Sequence, residues 1–120
     1  MPFTDNFFDF AVSHGVFDSM PFDVASRAMQ ETARCLKPGA LFYLDLVSGD
    51  NSEHFPEFCG EEIIGTEHEK GTVQSFFNWE KVQRLAGQEW DVLEAALIRR
   101  ISVTNSAFHS RYHIVLKNKI

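Results

Sequence analysis

The side chains able to do chemistry in this chain gather at the ends of two apolar runs. Ser13-His14-Gly15 closes the first run, Phe8 to Ser13 (FDFAVS); Ser48 and Asp50 follow the second, Leu41 to Val47 (LFYLDLV), which itself contains Asp45. Open α/β sheets hold ligands beyond the carboxyl ends of their strands, so position more than residue type makes these residues candidates for ligand contact. Against that, Gly15 can simply turn the chain and His14 can be a solvated loop residue. Asp45 interrupts an apolar strand and needs a buried partner or an open crevice, and a satisfied structural carboxylate is the commoner arrangement. Glu61, Glu62, Glu67, His68 and Glu69 hint at a metal site. Their spacing matches no ligand pattern, and strand alternation splits them between two faces, so they read as a solvated hairpin edge and no metal is expected. Phe76, Phe77 and Trp79 could cap a substrate pocket, but aromatic density at such spacing is more often core, and they read as core aromatics. Arg99-Arg100 and Arg111-Tyr112-His113 read as solvent-facing residues of a last hairpin. No triad or acid–base pair is evident, so no catalytic residue is assigned.

The elements that must position these groups follow from periodicity. Phe8 to Ser13 is short, aromatic and β-branched, as a strand requires. Asp23 is placed to cap a helix from Val24 to Leu36, in which Ala25, Ala28, Met29, Thr32, Ala33 and Leu36 form one continuous stripe. Pro38 and Gly39 stop that helix in a tight turn. Leu41 to Val47 is apolar at nearly every position, which is how a strand covered on both faces reads. Strand, helix and strand make a parallel βαβ crossover.

Beyond a polar loop from Ser48 to Phe58, the runs Glu61 to His68 and Thr72 to Phe77 flank Glu69-Lys70-Gly71 as a hairpin. Asn78 is expected to cap a short helix, Trp79 to Leu85, that ends near Gly87. Asp91 to Val103 and Phe108 to Lys117 form a closing antiparallel pair. The chain is thus read as a single domain: a βαβ core at 1–50, a hairpin insertion at 60–78, and a helix with a strand pair at 79–120.

Bulk properties exclude more than they select. The 120 residues, 44% hydrophobic with twelve Phe, can bury roughly two-thirds of their unfolded surface. A formal charge of −6 argues against nucleic-acid or anionic-membrane surfaces, which need clustered Lys and Arg. No apolar run approaches the ~20 residues that cross a bilayer. Cys35 and Cys59 form no CxxC and are read as reduced thiols of a cytoplasmic protein, Cys35 within the core.

Two phrases carry a family resemblance. Met1-Pro2-Phe3-Thr4-Asp5-Asn6-Phe7-Phe8-Asp9 and Arg34-Cys35-Leu36-Lys37-Pro38-Gly39-Ala40 resemble the "lPFxDnsFD" and "RxLKPGG" segments of class I S-adenosylmethionine (SAM)-dependent methyltransferases. The resemblance implies an α/β fold, the C-terminal half of a Rossmann-like methyltransferase sheet. In that family the strand order is 3-2-1-4-5-7-6 with only strand seven antiparallel, and this chain corresponds to strands four to seven. SAM is the implied cofactor. Pro2 and Phe3 match the segment flanking its adenine, and Ser13, His14 and Gly15 the segment beside its methionine group. Phe17 and Asp18 fall where relatives line the acceptor pocket, although Ser19 stands where many carry a second His, and Ser48 is placed to face the acceptor by its position after the second strand.

The family's glycine-rich cofactor loop and ribose-binding acid belong to the preceding half, and no GxGxG occurs among these 120 residues. The expected function is therefore methyl transfer to a small-molecule acceptor, with little or no activity or SAM binding in this chain alone. The alternative is a non-catalytic assembly module. Either way the Phe8–Ser13 edge is expected to form a homodimer, because nothing in that strand discourages pairing.

Overall fold

The computed structural model describes residues 3–63 and 72–119. In chain order these form β1 (Phe8–Ser13), α1 (Phe22–Cys35), β2 (Leu36–Val47), β3 (Glu61–Ile63), β4 (Val73–Ser75), α2 (Trp79–Ala86), β5 (Trp90–Ile101) and β6 (Phe108–Asn118). The main sheet runs β1-β2-β6-β5, with β1 and β2 parallel and β6 antiparallel to both its neighbours. That is the order and sense implied for strands four, five, seven and six of a methyltransferase sheet. β3 and β4 pair separately as the two short arms of the expected hairpin. Its turn, with Glu67, His68 and Glu69, lies outside the described residues.

Helix α1 starts earlier than Asp23 suggests. Pro21 occupies the N-cap and has no side-chain acceptor to offer. The N–H of Phe22 is instead satisfied across the fold by Glu61 Oε2 at 3.2 Å, and Asp23 sits within the first turn, where its charge suits the helix dipole. Glu61 is thus a cap supplied by β3 and not only a solvated edge residue. At the other end the helix stops at Cys35, and Leu36 is already extended and paired with Phe8. The next registered pair is Phe10 with Leu41, so Lys37-Pro38-Gly39-Ala40 is a bulge inside β2 and not a turn before it. Gly39 supplies the left-handed backbone (φ 79°) that the bulge requires. The buried carboxamide of Asn118 donates to the carbonyls of Ala33, Leu36 and Lys37, closing the end of α1 from β6. Helix α2 is capped as expected: Asn78 Oδ1 accepts the Lys81 N–H at 2.8 Å, and Gly87 ends it at φ 63°.

Both helices cover one face of the sheet. Ala25, Met29 and Ala33 of α1 and Val82, Leu85 and Ala86 of α2 pack with Phe42, Leu44, Leu46, Ile114, Leu116 and Trp90. Strand alternation puts Phe10, Val12, Leu41, Tyr43 and Asp45 on the opposite face. The expectation that β2 is covered on both sides is therefore not met among the described residues. Phe10 is 69% exposed and Val12 67%, and among the described residues β1 is an open edge. Asp45 shares that uncovered face, yet it is completely buried.

Candidate functional site

Asp45 is covered by what converges on it from the segment beyond β1 and from β6. Its Oδ1 accepts the backbone N–H of Gly15, just beyond β1, at 2.7 Å. Its Oδ2 meets Nδ1 of His14 at 2.5 Å and accepts from Arg111 Nε, on β6, at 3.2 Å. Nη2 of Arg111 reaches on to Asp18 Oδ2 at 2.8 Å, and the same oxygen accepts the Val47 N–H at 2.8 Å. The sheet register explains the meeting. Asp45 pairs with His113 and Val47 with Arg111, so Arg111 lies diagonally across from Asp45 on the same face.

Burial alone would raise the Asp45 pKa. The Gly15 N–H, the hydrogen bond and charge of Arg111, and the charge of His14 together hold it below the ordinary 3.8. Asp45 is therefore an ionised carboxylate with acceptors only. The open question of buried partner or open crevice resolves to the partner.

The candidate residues separate accordingly. Phe3, Ser13, His14 and Phe17 share one cleft of about 470 Å³, walled by Phe8, Phe10, Val12, Val16 and Leu36. That volume is within the range of small-molecule sites, which are mostly apolar with a few polar groups. The Ser13 hydroxyl there is buried without a partner among the described residues. Gly15, at φ 68°, has nothing within 4 Å of the position a Cβ would take, so its backbone stands in open space at the strand end. Pro2 lies outside the described residues.

Two assigned acceptor-lining residues do not face this cleft. Asp18 is buried in its pairing with Arg111 and Val47, and Ser48 is buried with Oγ accepting the Asp50 N–H at 3.0 Å. Phe17 lines the cleft but is itself core, its ring 5.8 Å from that of Phe42. Of the aromatics read as core, Phe77 is wholly buried, while Trp79 lies half-exposed beside Tyr112.

The sequence reading missed the cations. Arg111 is no solvent-face residue but the tie between two buried carboxylates, and Arg99 pairs with the mostly buried Asp50 at 2.6 Å. The signal was present: Asp18 and Asp45, set among apolar residues, each require a counter-charge, and an arginine stands on the strand that neighbours β2.

Comparison with known proteins bears on the family. Residues 1–44 match the methyltransferase domain family. No curated protein matches the chain. Among solved structures, a SAM-dependent methyltransferase from Methanosarcina mazei aligns at a TM-score of 0.77 with 20% identity, over 98% of this chain and 62% of that one. The Burkholderia thailandensis 1,6-didemethyltoxoflavin-N1-methyltransferase, solved with 1,6-didemethyltoxoflavin and S-adenosylhomocysteine bound, aligns at 0.67 with 9% identity, over 97% and 46%. A SAM-dependent methyltransferase from Mesorhizobium loti aligns at 0.66 with 14% identity, over 98% and 65%.

The chain thus has the fold seen in these SAM-dependent methyltransferases, and its first 44 residues match the methyltransferase domain family. It spans less than two thirds of the length of each of these structures. No helix among the described residues is long and apolar enough to cross a membrane.

Proposed function

We infer that this chain forms the acceptor-side half of a SAM-dependent methyltransferase domain that methylates a small molecule. The supporting observation is the cleft at the carboxyl end of β1, where Phe3, Ser13, His14 and Phe17 meet beside the open backbone of Gly15. SAM, when bound, supplies a sulfonium methyl group with a good leaving group already attached. The chain's own residues therefore need do little chemistry. Phe3 and Phe17 offer apolar walls, Ser13 an unpartnered hydroxyl, and Gly15 a backbone free of side-chain bulk, and together they orient the reactants and limit water.

These residues fit one side of the cofactor only. Without a GxGxG turn the 120 residues carry no backbone cradle for the rest. The chain alone should bind S-adenosylhomocysteine in the millimolar range, and amide spectra at high ligand concentration should move first at Ser13, His14 and Gly15. A low-micromolar calorimetric dissociation constant would contradict this, and shifts confined to the far loops would overturn the placement.

A second reading, a dimeric assembly module, draws on the same edge. β1 exposes Phe10 and Val12 with no Pro or Lys within the strand, an unprotected template for pairing. On that reading light scattering finds a dimer, and Ala11→Pro dissociates it by removing a ladder donor. A folded monomer at micromolar concentration would dismiss it.

A further inference from the structure

His14 and Asp45 form a pair whose parts differ sharply in exposure: the His14 side chain is 78% exposed and that of Asp45 0%. An ionised carboxylate can only accept, so Nδ1 of His14 carries the proton that Asp45 receives. The second ring nitrogen, Nε2, is then left with its lone pair, and among the described residues no group bonds to it. Asp45 is itself fixed: Gly15 holds one oxygen and Arg111 the other, while Asp18 holds Arg111. A buried carboxylate that sets a histidine's tautomer and stabilises its cation is the arrangement that makes imidazole a general base.

We propose that His14 is the proton acceptor for a hydroxyl-bearing methyl acceptor bound in the β1 cleft, with Asp45 as its positioning residue. The proposal rests on the methyltransferase reading and adds the acceptor class to it. A carboxylate acceptor is already ionised near neutrality and needs no base, whereas an alcohol or phenol does. In the transfer, a lone pair on the acceptor oxygen forms the new O–C bond while the C–S bond breaks with its electron pair left on sulfur. The oxygen's proton passes to Nε2. The imidazolium so formed faces Asp45 across the ring and lies near Arg111 and Asp18, whose opposite charges pair with each other. The cleft wall of Phe3, Phe10, Val12 and Phe17 suits a flat or apolar acceptor body.

The test needs neither SAM nor the acceptor. Long-range ¹H–¹⁵N spectra of the full chain, with the His14 signals assigned from His14→Gln, should show neutral His14 protonated on Nδ1. In Asp45→Asn, where the carboxylate charge is lost, the preference for the Nδ1 tautomer should weaken. As a chemical readout, the chain should accelerate hydrolysis of p-nitrophenyl acetate. The rate above buffer should fall about tenfold or more in His14→Gln, the low end of what a positioned base contributes. A neutral tautomer protonated on Nε2, or a wild-type rate in His14→Gln, overturns the proposal. Both decisive readings use the wild type and a surface variant, so unfolding of Asp45→Asn leaves them intact. Because no cofactor is present, failure of S-adenosylhomocysteine binding counts against the methyltransferase reading and not against the base.

Discussion

Replacing Arg111 with Met keeps most of the side chain's length and removes its charge. Two buried carboxylates lose a partner at once, because Arg111 donates to Asp45 and to Asp18. Breaking a buried pair from one side costs about 3–5 kcal/mol when the remaining charge is stranded. Here neither is fully stranded: Asp45 keeps the Gly15 N–H and His14, and Asp18 keeps the Val47 N–H. The guanidinium is also partly open to water. Both facts place the loss near the lower end, about 3 kcal/mol. At roughly 3–5 °C per kcal/mol for a domain of this size, Tm should drop by about 10–15 °C.

The deficit should also depend on pH. Asp45 has a native pKa below its ordinary value, so its contribution is complete above about 4 and is lost as pH falls through the native pKa. Once Asp45 is protonated the arginine has less charge to compensate. Urea unfolding of wild type and Arg111→Met at pH 7 and near pH 3 measures both effects, with Arg27→Met as reference. Arg27 pairs with Asp23 at 3.7 Å on an exposed helix face, and its loss should stay within about 0.5 kcal/mol. A pH 7 deficit under about 1 kcal/mol, or one that persists undiminished at low pH, would refute the network as drawn.

Two further outcomes follow from buried polar groups away from the cleft. Lys81 buries its ammonium against Phe77 and donates to Cys59 O, Ser75 Oγ and Phe76 O, tying α2 to the β3–β4 arms. Lys81→Met should cost about 1–3 kcal/mol at pH 7 by leaving those acceptors unpaired. Burial lowers the native Lys81 pKa below 10.5, so between that value and 10.5 the unfolded chain binds the extra proton. Wild-type stability should therefore gain from Lys81 as pH rises through that window, a gain the variant lacks, and parallel urea midpoints in the two proteins would contradict it. Asn118→Asp would set a carboxylate against three carbonyls at the end of α1. It should destabilise more than Asn118→Leu in thermal unfolding, and the reverse order would show that the carboxamide bonds do not matter.

The legible part of this fold is the local part. Strand-forming composition marked β1, β2 and the final pair, and the 3.6-residue stripe marked α1, because these signals lie within each run. The Asn78 cap and the Gly87 stop were visible for the same reason. What escaped depends on residues far apart in the chain. Glu61 caps a helix that begins 39 residues earlier. The start of β2 was obscured because Lys37-Pro38-Gly39 has the composition of a turn, and only the pairing of Leu36 with Phe8 shows it to be a bulge. Arg111 looked solvated because an arginine on a terminal strand usually is, and its partner Asp18 lies 93 residues away. The strand-end position of His14 was readable; its partnership with Asp45 was not.

The uncovered face and the candidate base are one physical problem. Phe10, Val12 and His14 line the same cleft, so whatever covers the two apolar side chains also closes a wall beside the imidazole. Proton transfer and methyl transfer both gain from excluding water, since an exposed imidazole is solvated and its Coulombic link to Asp45 is screened. A cofactor, another stretch of polypeptide and a second copy of the chain would each supply that wall differently. Only a wall that includes the cofactor would supply a methyl group to an acceptor held at Nε2. A dimer that paired β1 edge to edge would close the cleft with backbone and apolar side chains, and would place His14 at a seam. The two readings of function therefore make opposite demands on His14: accessible to a small probe in the first, shielded on assembly in the second. The concentration dependence of the p-nitrophenyl acetate rate separates them, because specific activity stays constant if the cleft remains open and falls with dimer formation if the edge is the interface.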